Sequence, residues 1–177
     1  LVWQNHPGDG IGGEKLVQQP IIQLQDENGN VIFDDSSSTI TVNLTSANGA
    51  VLSGTKTVIV QNGIATFTDL KVDMIGTYTL SPVSSLPGIT ATDSAHFTIS
   101  IGSATSLVWQ TQPGNGTGGT VLTHQPVLVL KDAGGNTVTG GSSSTVTVGL
   151  TSANGATLSG TKTVIVQNGI ATFMDLK

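Results

Sequence analysis

Asp26, Asn28 and Asn30 stand at alternate positions in the stretch QDENGN. Carboxylate and amide oxygens at this spacing are the start of a calcium loop, where they converge on a hard cation. The rest of the loop is absent: Gly29 comes too early, and no Glu follows at the twelfth position. A related stretch, KDAGGN, keeps only Asp132 and Asn136. The segment reads more simply as a turn between strands. Asp34 and Asp35 form a second acidic pair, but the related positions are Gly140 and Gly141. A cation held between domains stays open as an alternative.

The other reactive residue types do not form a constellation. His6, His96 and His124 fall at three unrelated places in the pattern described below, so no shared metal site or triad uses them. Serines are plentiful, yet no Gly-x-Ser-x-Gly elbow occurs. PGDGIGG is rich in glycine but lacks the following helix and Lys of a phosphate loop. Cys is absent, which excludes disulfides, thiolate zinc sites and a Cys nucleophile. Lys56 recurs as Lys162 and Asp69 as Asp175, the residue types of an isopeptide crosslink; Lys56 follows a turn, so it is expected in solvent and uncrosslinked. These residues point to no catalytic site, cofactor or resident metal.

The elements that position these residues come from a duplication. LSGTKTVIVQNGIATF, Leu52 to Phe67, returns unchanged from Leu158 to Phe173. Residues 1–71 align without a gap on residues 107–177, and about 48 of the 71 pairs are identical. The period is about 106 residues. Solenoid units run to roughly 20–50 residues, so this one has the size of a whole small domain.

Within each copy the hydrophobic period is two. In TITVNL, Ile40, Val42 and Leu44 share one face; TVTVGL repeats this with Val146, Val148 and Leu150. Such alternation predicts half-buried strands. KTVIVQNGIATF predicts a complete β-hairpin about Asn62-Gly63, with Ala65 and Phe67, and in the second copy Phe173, turned inward. Turns recur at QDENGN, KDAGGN, SANGA (46–50 and 152–156), DDSSS (34–38) and GGSSS (140–144). No stretch carries a helical stripe. Seven or so short strands in about 100 residues predict an antiparallel β-sandwich. Trp3 and Trp109, in the first strand of each copy, are expected to pack in a core or between domains.

Composition agrees with an all-β chain of polar, uncharged surfaces: 10% of residues are charged and the formal net charge is −5. Six basic residues against eleven acidic ones argue against nucleic acid, whose phosphates demand Lys and Arg. No apolar run approaches the roughly 18 residues of a membrane helix, so this segment is not expected to span a bilayer by a helix.

DMIGTYTL places Tyr78 just after Gly76 and two residues before Leu80. This resembles the tyrosine corner of immunoglobulin-like folds, in which the hydroxyl bonds back to upstream backbone; Leu80 then stands where antibody domains carry a Cys. Taken in order, LVWQNHPG, PIIQLQDENGN, TSANGAVLSG, NGIATFTDLK and GTYTL resemble the tandem bacterial immunoglobulin-like repeats of long microbial surface proteins: adhesins, intimin- and invasin-like stalks, and surface-layer or filament proteins. The resemblance implies tandem immunoglobulin-like sandwiches at the cell surface, with neighbouring copies or adjacent repeats of the same chain as partners. It brings no catalytic signature.

On this basis residues 1–101 form a first repeat and 102–177 a second one. IGSATS leads directly into the second LVWQ, so a stiff pair is expected. The second repeat has no counterpart of residues 72–100, hence no last strands and no tyrosine corner. A chain that opens without Met and stops at Lys177 reads as an excerpt. The gap is filled either by continuing chain or by a strand from a neighbouring subunit. Function is expected to be structural, as a spacer or fibre module. The alternative is an adhesin binding a glycan or surface receptor through loops 5–14, 34–38 or 84–90.

Overall fold

The computed structural model describes residues 1–45, 47–140 and 143–177. Ser46 of the first SANGA turn, and Gly141 and Ser142 of GGSSS, lie outside the described residues. The chain is all-β and divides into two compact units: Leu1–Gly102 with Ala133–Asn136, and Ser103–Asp132 with Thr137–Lys177.

The first unit carries β1 (Val2–Asn5), β2 (Gly10–Ile11), β3 (Ile21–Gln23), β4 (Thr39–Thr45), β5 (Leu52–Ser53), β6 (Thr57–Ile59), β7 (Ile64–Thr66), β8 (Lys71–Val72), β9 (Gly76–Ser84) and β10 (Phe97–Ser100). One sheet has the order β1-β3-β7 and the other β2-β10-β9-β4-β6; β5 and β8 form a small ribbon. Pairing is antiparallel except between β2 and β10, where part of the glycine-rich loop runs parallel as a short strand. Ile22 and Ala65 from the first sheet meet Ile40, Val42, Tyr78, Leu80, Phe97 and Ile99 from the second in one buried cluster. The two sheets thus enclose a core as in a β-sandwich. The alternation seen in the sequence is the cause: Ile40 and Val42 are fully buried while Thr39 and Thr41 between them stay partly exposed.

The second unit has β11 (Ser106–Thr111), β12 (Val127–Lys131), β13 (Thr145–Thr147), β14 (Thr163–Ile165) and β15 (Ile170–Thr172). Its sheets are β11-β12-β15 and β13-β14. Their registers reproduce those of the first unit: Thr39↔Ile59 and Ile40↔Val58 return as Thr145↔Ile165 and Val146↔Val164.

One sequence expectation is corrected. The Asn-Gly turns form, with φ of 49° at Asn62 and 74° at Gly63, and 50° and 79° at Asn168 and Gly169. The flanking strands, however, are not one hairpin ladder. They meet only at the bridge Gln61↔Ile64; β6 then pairs with β4, and β7 with β3. The turn carries the chain from one sheet to the other. Val60 before it and Ala65 and Phe67 after it are all buried, and one face of a single two-stranded ladder could not bury them against both sheets. Glycine is required at 63: a Cβ there would stand 2.6 Å from Val31 Cγ1 and 2.7 Å from the Ile32 carbonyl oxygen.

Phe67 is among the largest fully buried side chains. Truncating a buried Phe removes its transfer energy and leaves a cavity, so Phe67→Ala should destabilise the first unit by about 3–5 kcal/mol. Denaturant melts of the variant and the wild type measure this directly.

Candidate interaction surface

The residues singled out in the sequence do not gather at one place. Asp26 closes its own turn: its carboxylate accepts from the backbone N–H of Asn28 and of Asn30, both at 2.9 Å, and from the Asn30 side-chain amide at 3.1 Å. The Asn30 amide is the main reason the Asp26 carboxyl is held below its ordinary value, with the backbone donors adding to it. Such an Asx turn uses the same oxygens that a calcium loop would offer. Asp35 acts likewise on the next loop, accepting from the hydroxyl and backbone N–H of Ser38 and from the backbone N–H of Ser37. Among the described residues, no group of three or more His, Cys, Asp and Glu is placed to hold a metal ion.

A second carboxylate device occurs in both units. Asp69 accepts from the Thr55 backbone N–H at 2.8 Å and its hydroxyl at 3.1 Å; Asp175 accepts from Thr161 in the same way at 2.8 and 3.0 Å. These bonds, the backbone N–H first, lower both carboxyls from their ordinary value. Lys56 and Lys162 beside them are exposed.

Tyr78 is buried, and its hydroxyl donates to the carbonyl oxygens of Met74 at 3.1 Å and Ile75 at 3.3 Å. Burial raises its phenol pKa, and Asp73 adds to the shift. Gly76 makes room for the ring, since a Cβ there would lie 2.8 Å from Tyr78 Oη. Leu80, two residues on, is fully buried. The second unit has no equivalent within this chain.

Trp3 is half-buried against the first core. Its indole N–H donates to the Thr92 carbonyl at 2.9 Å, and its ring stacks on His6, centroids 5.6 Å apart. Trp109 does not share this setting. It is 41% exposed, with Leu107 and Val108 beside it also exposed. Trp3 is covered by residues of the 72–100 segment, as its bond to Thr92 shows, and residues 103–177 contain no counterpart of that segment.

The same contrast runs through the second unit. Phe173, Val166, Ala171 and Leu176 are as buried as Phe67, Val60, Ala65 and Leu70. Leu150, by contrast, is 49% exposed, and Ala156 is exposed where Ala50 is buried. Strand β4 spans seven residues, whereas its counterpart β13 spans three and ends before Val148.

The described residues also line clefts on the surface. In the first unit one of about 450 Å³ runs along Asp26, Glu27 and the loop at Gly88–Thr92. In the second, one of about 340 Å³ is bordered by Trp109, Lys131 and Ile170. Among the described residues no helix is long and apolar enough to cross a membrane.

Two substitutions test these devices. Tyr78→Phe deletes a hydrogen bond to backbone and should cost about 0.5–1.5 kcal/mol in an equilibrium melt. For Asp69 the folded-state pKa is depressed, so its bonds stabilise the fold above the ordinary value of 3.8 and lose that effect as pH falls below it. Asp69→Ala should therefore melt below the wild type at neutral pH, and the gap should narrow as the pH is taken down to about 3.

No family model and no curated protein matches this sequence.

Proposed function

We propose that this chain is a structural repeat module of an extracellular microbial filament, stalk or surface-layer protein, built from tandem immunoglobulin-like sandwiches. The observation that carries this reading is the duplication of framework. What the two units share, residue for residue, is the strand registers, the buried Phe67 and Phe173, the Asn-Gly crossovers, and the carboxylate brackets Asp69–Thr55 and Asp175–Thr161. The Tyr78 hydroxyl bonded to upstream carbonyls, with Leu80 buried behind it, supports the immunoglobulin-like assignment of the first unit.

The mechanism in this reading is mechanical. Each unit buries its own apolar core, so units added in series extend a chain without redesign of the fold. Contacts between unlike patches of neighbouring molecules that do not close into a ring generate fibres. A surface with 10% charged residues and abundant Thr and Ser makes such contacts polar. The partners are neighbouring copies or adjacent repeats of the same chain.

An adhesin reading has one observation in its favour. The cleft beside Asp26 and Glu27 is closed on one side by the loop at Gly88–Thr92, where exposed carboxylates and backbone groups could hold a glycan.

Immunogold electron microscopy of the producing cells, with antibody raised against the chain, checks the leading proposal. Label should fall on surface fibres or layers at regular spacing; label confined to the cell interior overturns it. A glycan array probed with the purified chain separates the two readings, since reproducible sugar binding lost on Asp26→Ala favours the adhesin.

A further inference from the structure

In the first unit two sheets close over one core, and one sheet edge still lies open. β6 is the outermost strand of the sheet β2-β10-β9-β4-β6. Its pairing with β4 sets which of its backbone groups turn away. The Val42 N–H donates to the Lys56 carbonyl at 2.9 Å, and the Val60 N–H to the Ser38 carbonyl at 2.7 Å. Bonded and non-bonded pairs alternate along an antiparallel ladder, so Ile40↔Val58 is the bonded pair between them. The N–H and C=O groups of Thr57 and Ile59 therefore point away from β4. Among the described residues these groups have no hydrogen-bond partner.

Open edges in soluble proteins are ordinarily blunted by charges, Pro or bulges. β6 has none of these: Thr57-Val58-Ile59 is uncharged, its register with β4 is unbroken, and Ile59 is 59% exposed. Past the bridge Gln61↔Ile64 the chain leaves for the other sheet, and a groove of about 410 Å³ opens beside β6, lined by Ile59, Gln61, Ile64 and Thr66. The second unit repeats the arrangement. Its Val148 and Val166 N–H groups donate to the Lys162 and Ser144 carbonyls, which turns Thr163 and Ile165 outward. Ile165 is 60% exposed and borders a groove with Gln167, Ile170 and Thr172.

We infer that the β6 edge of the first unit is a docking surface for a second copy of this chain, which adds its own β6 antiparallel across a two-fold axis at Val58. The strand pattern selects this occupant. On its inner side β6 already pairs with Thr39-Ile40-Thr41, and a second β6 offers Thr57-Val58-Ile59 in the same alternation. Thr57 then lies opposite the copy's Ile59, and the two exchange N–H to C=O bonds on each side of the axis. Val58, partly buried against the core, meets its own counterpart. Charge selects the direction. Exposed Lys56 precedes the strand. The loop with Asp34 and Asp35 sits at its other end, held there by the Asn62 N–H donating to Ser36 Oγ at 3.2 Å and the Gly63 N–H to the Asp35 carbonyl at 3.0 Å. Antiparallel addition brings each Lys56 toward the acidic loop of the other copy, whereas parallel addition sets like charges together. The inference gives the assembly proposed above a specific contact and rests on that reading for its role; the contact itself is tested in solution, apart from where the protein acts.

Residue-resolved hydrogen exchange and sedimentation of the 177-residue chain, from micromolar to millimolar concentration, test this. The Thr57 and Ile59 amides should slow by about tenfold or more as the chain associates, while the amides of β9 and β10 keep one rate. Ile59→Lys, at an exposed position, should leave the melt unchanged and abolish the slowing. Asp34→Lys and Lys56→Glu should each weaken association, and the two together should restore it. A chain that stays monomeric throughout overturns the proposal. So does association that leaves both amides fast or survives Ile59→Lys, and so does a double variant that associates no better than the single ones. Slowing of these amides only on addition of a different protein also overturns it, since the occupant is then not a second copy.

Discussion

The structure depends on one constraint: the inner edge of β4 has to be paired. A strand buries an apolar face only if its backbone groups also find partners, because an unpaired buried N–H or C=O costs about as much as a lost hydrogen bond. In the first unit β6 takes one edge of β4 and β9 the other, so the alternation of Ile40, Val42 and Leu44 is held flat for seven residues. In the second unit nearly the same residues pair with β14 alone among the described residues, and the strand ends at Thr147. The two copies therefore act as an internal control, in which a similar sequence sits in two different surroundings.

Two classes of interaction emerge from that control. Some are carried within residues 1–71 and its copy: the crossover at Asn-Gly, the aromatic anchors Phe67 and Phe173, and the carboxylate brackets at Asp69 and Asp175. They are the same in both units because their partners lie within the repeated stretch. Others join that stretch to residues 72–100: the Trp3 indole to Thr92, Asp9 to the Thr98 N–H, and His6 Nδ1 to the Ala95 N–H. Each of these partners is 89 residues from its mate, so the first and last strands are tied by contacts made late in the chain. The second class sets whether the Trp at the head of each copy is covered.

The division separates local from long-range contacts: residues 1–71 and their copy each hold a buried cluster and several turns through partners inside the repeated stretch. The carboxylates of this chain fit a framework role: those of Asp26, Asp35, Asp69 and Asp175 are spent on nearby N–H and hydroxyl groups, closing turns.

By itself the sequence determined the all-β class, the duplication, the positive-φ turns at Asn-Gly and the inward residues Phe67, Phe173, Ile40 and Val42. These follow from local patterns: period-two alternation and turn chemistry act over a few residues. Tertiary structure alone decided that the strands flanking Asn62-Gly63 belong to different sheets, that part of a glycine-rich loop is a strand, and that Trp3 and Trp109, alike in sequence, differ in burial. Partner choice is set by contacts between residues far apart in the chain, and no short window of sequence records which edge a strand will find.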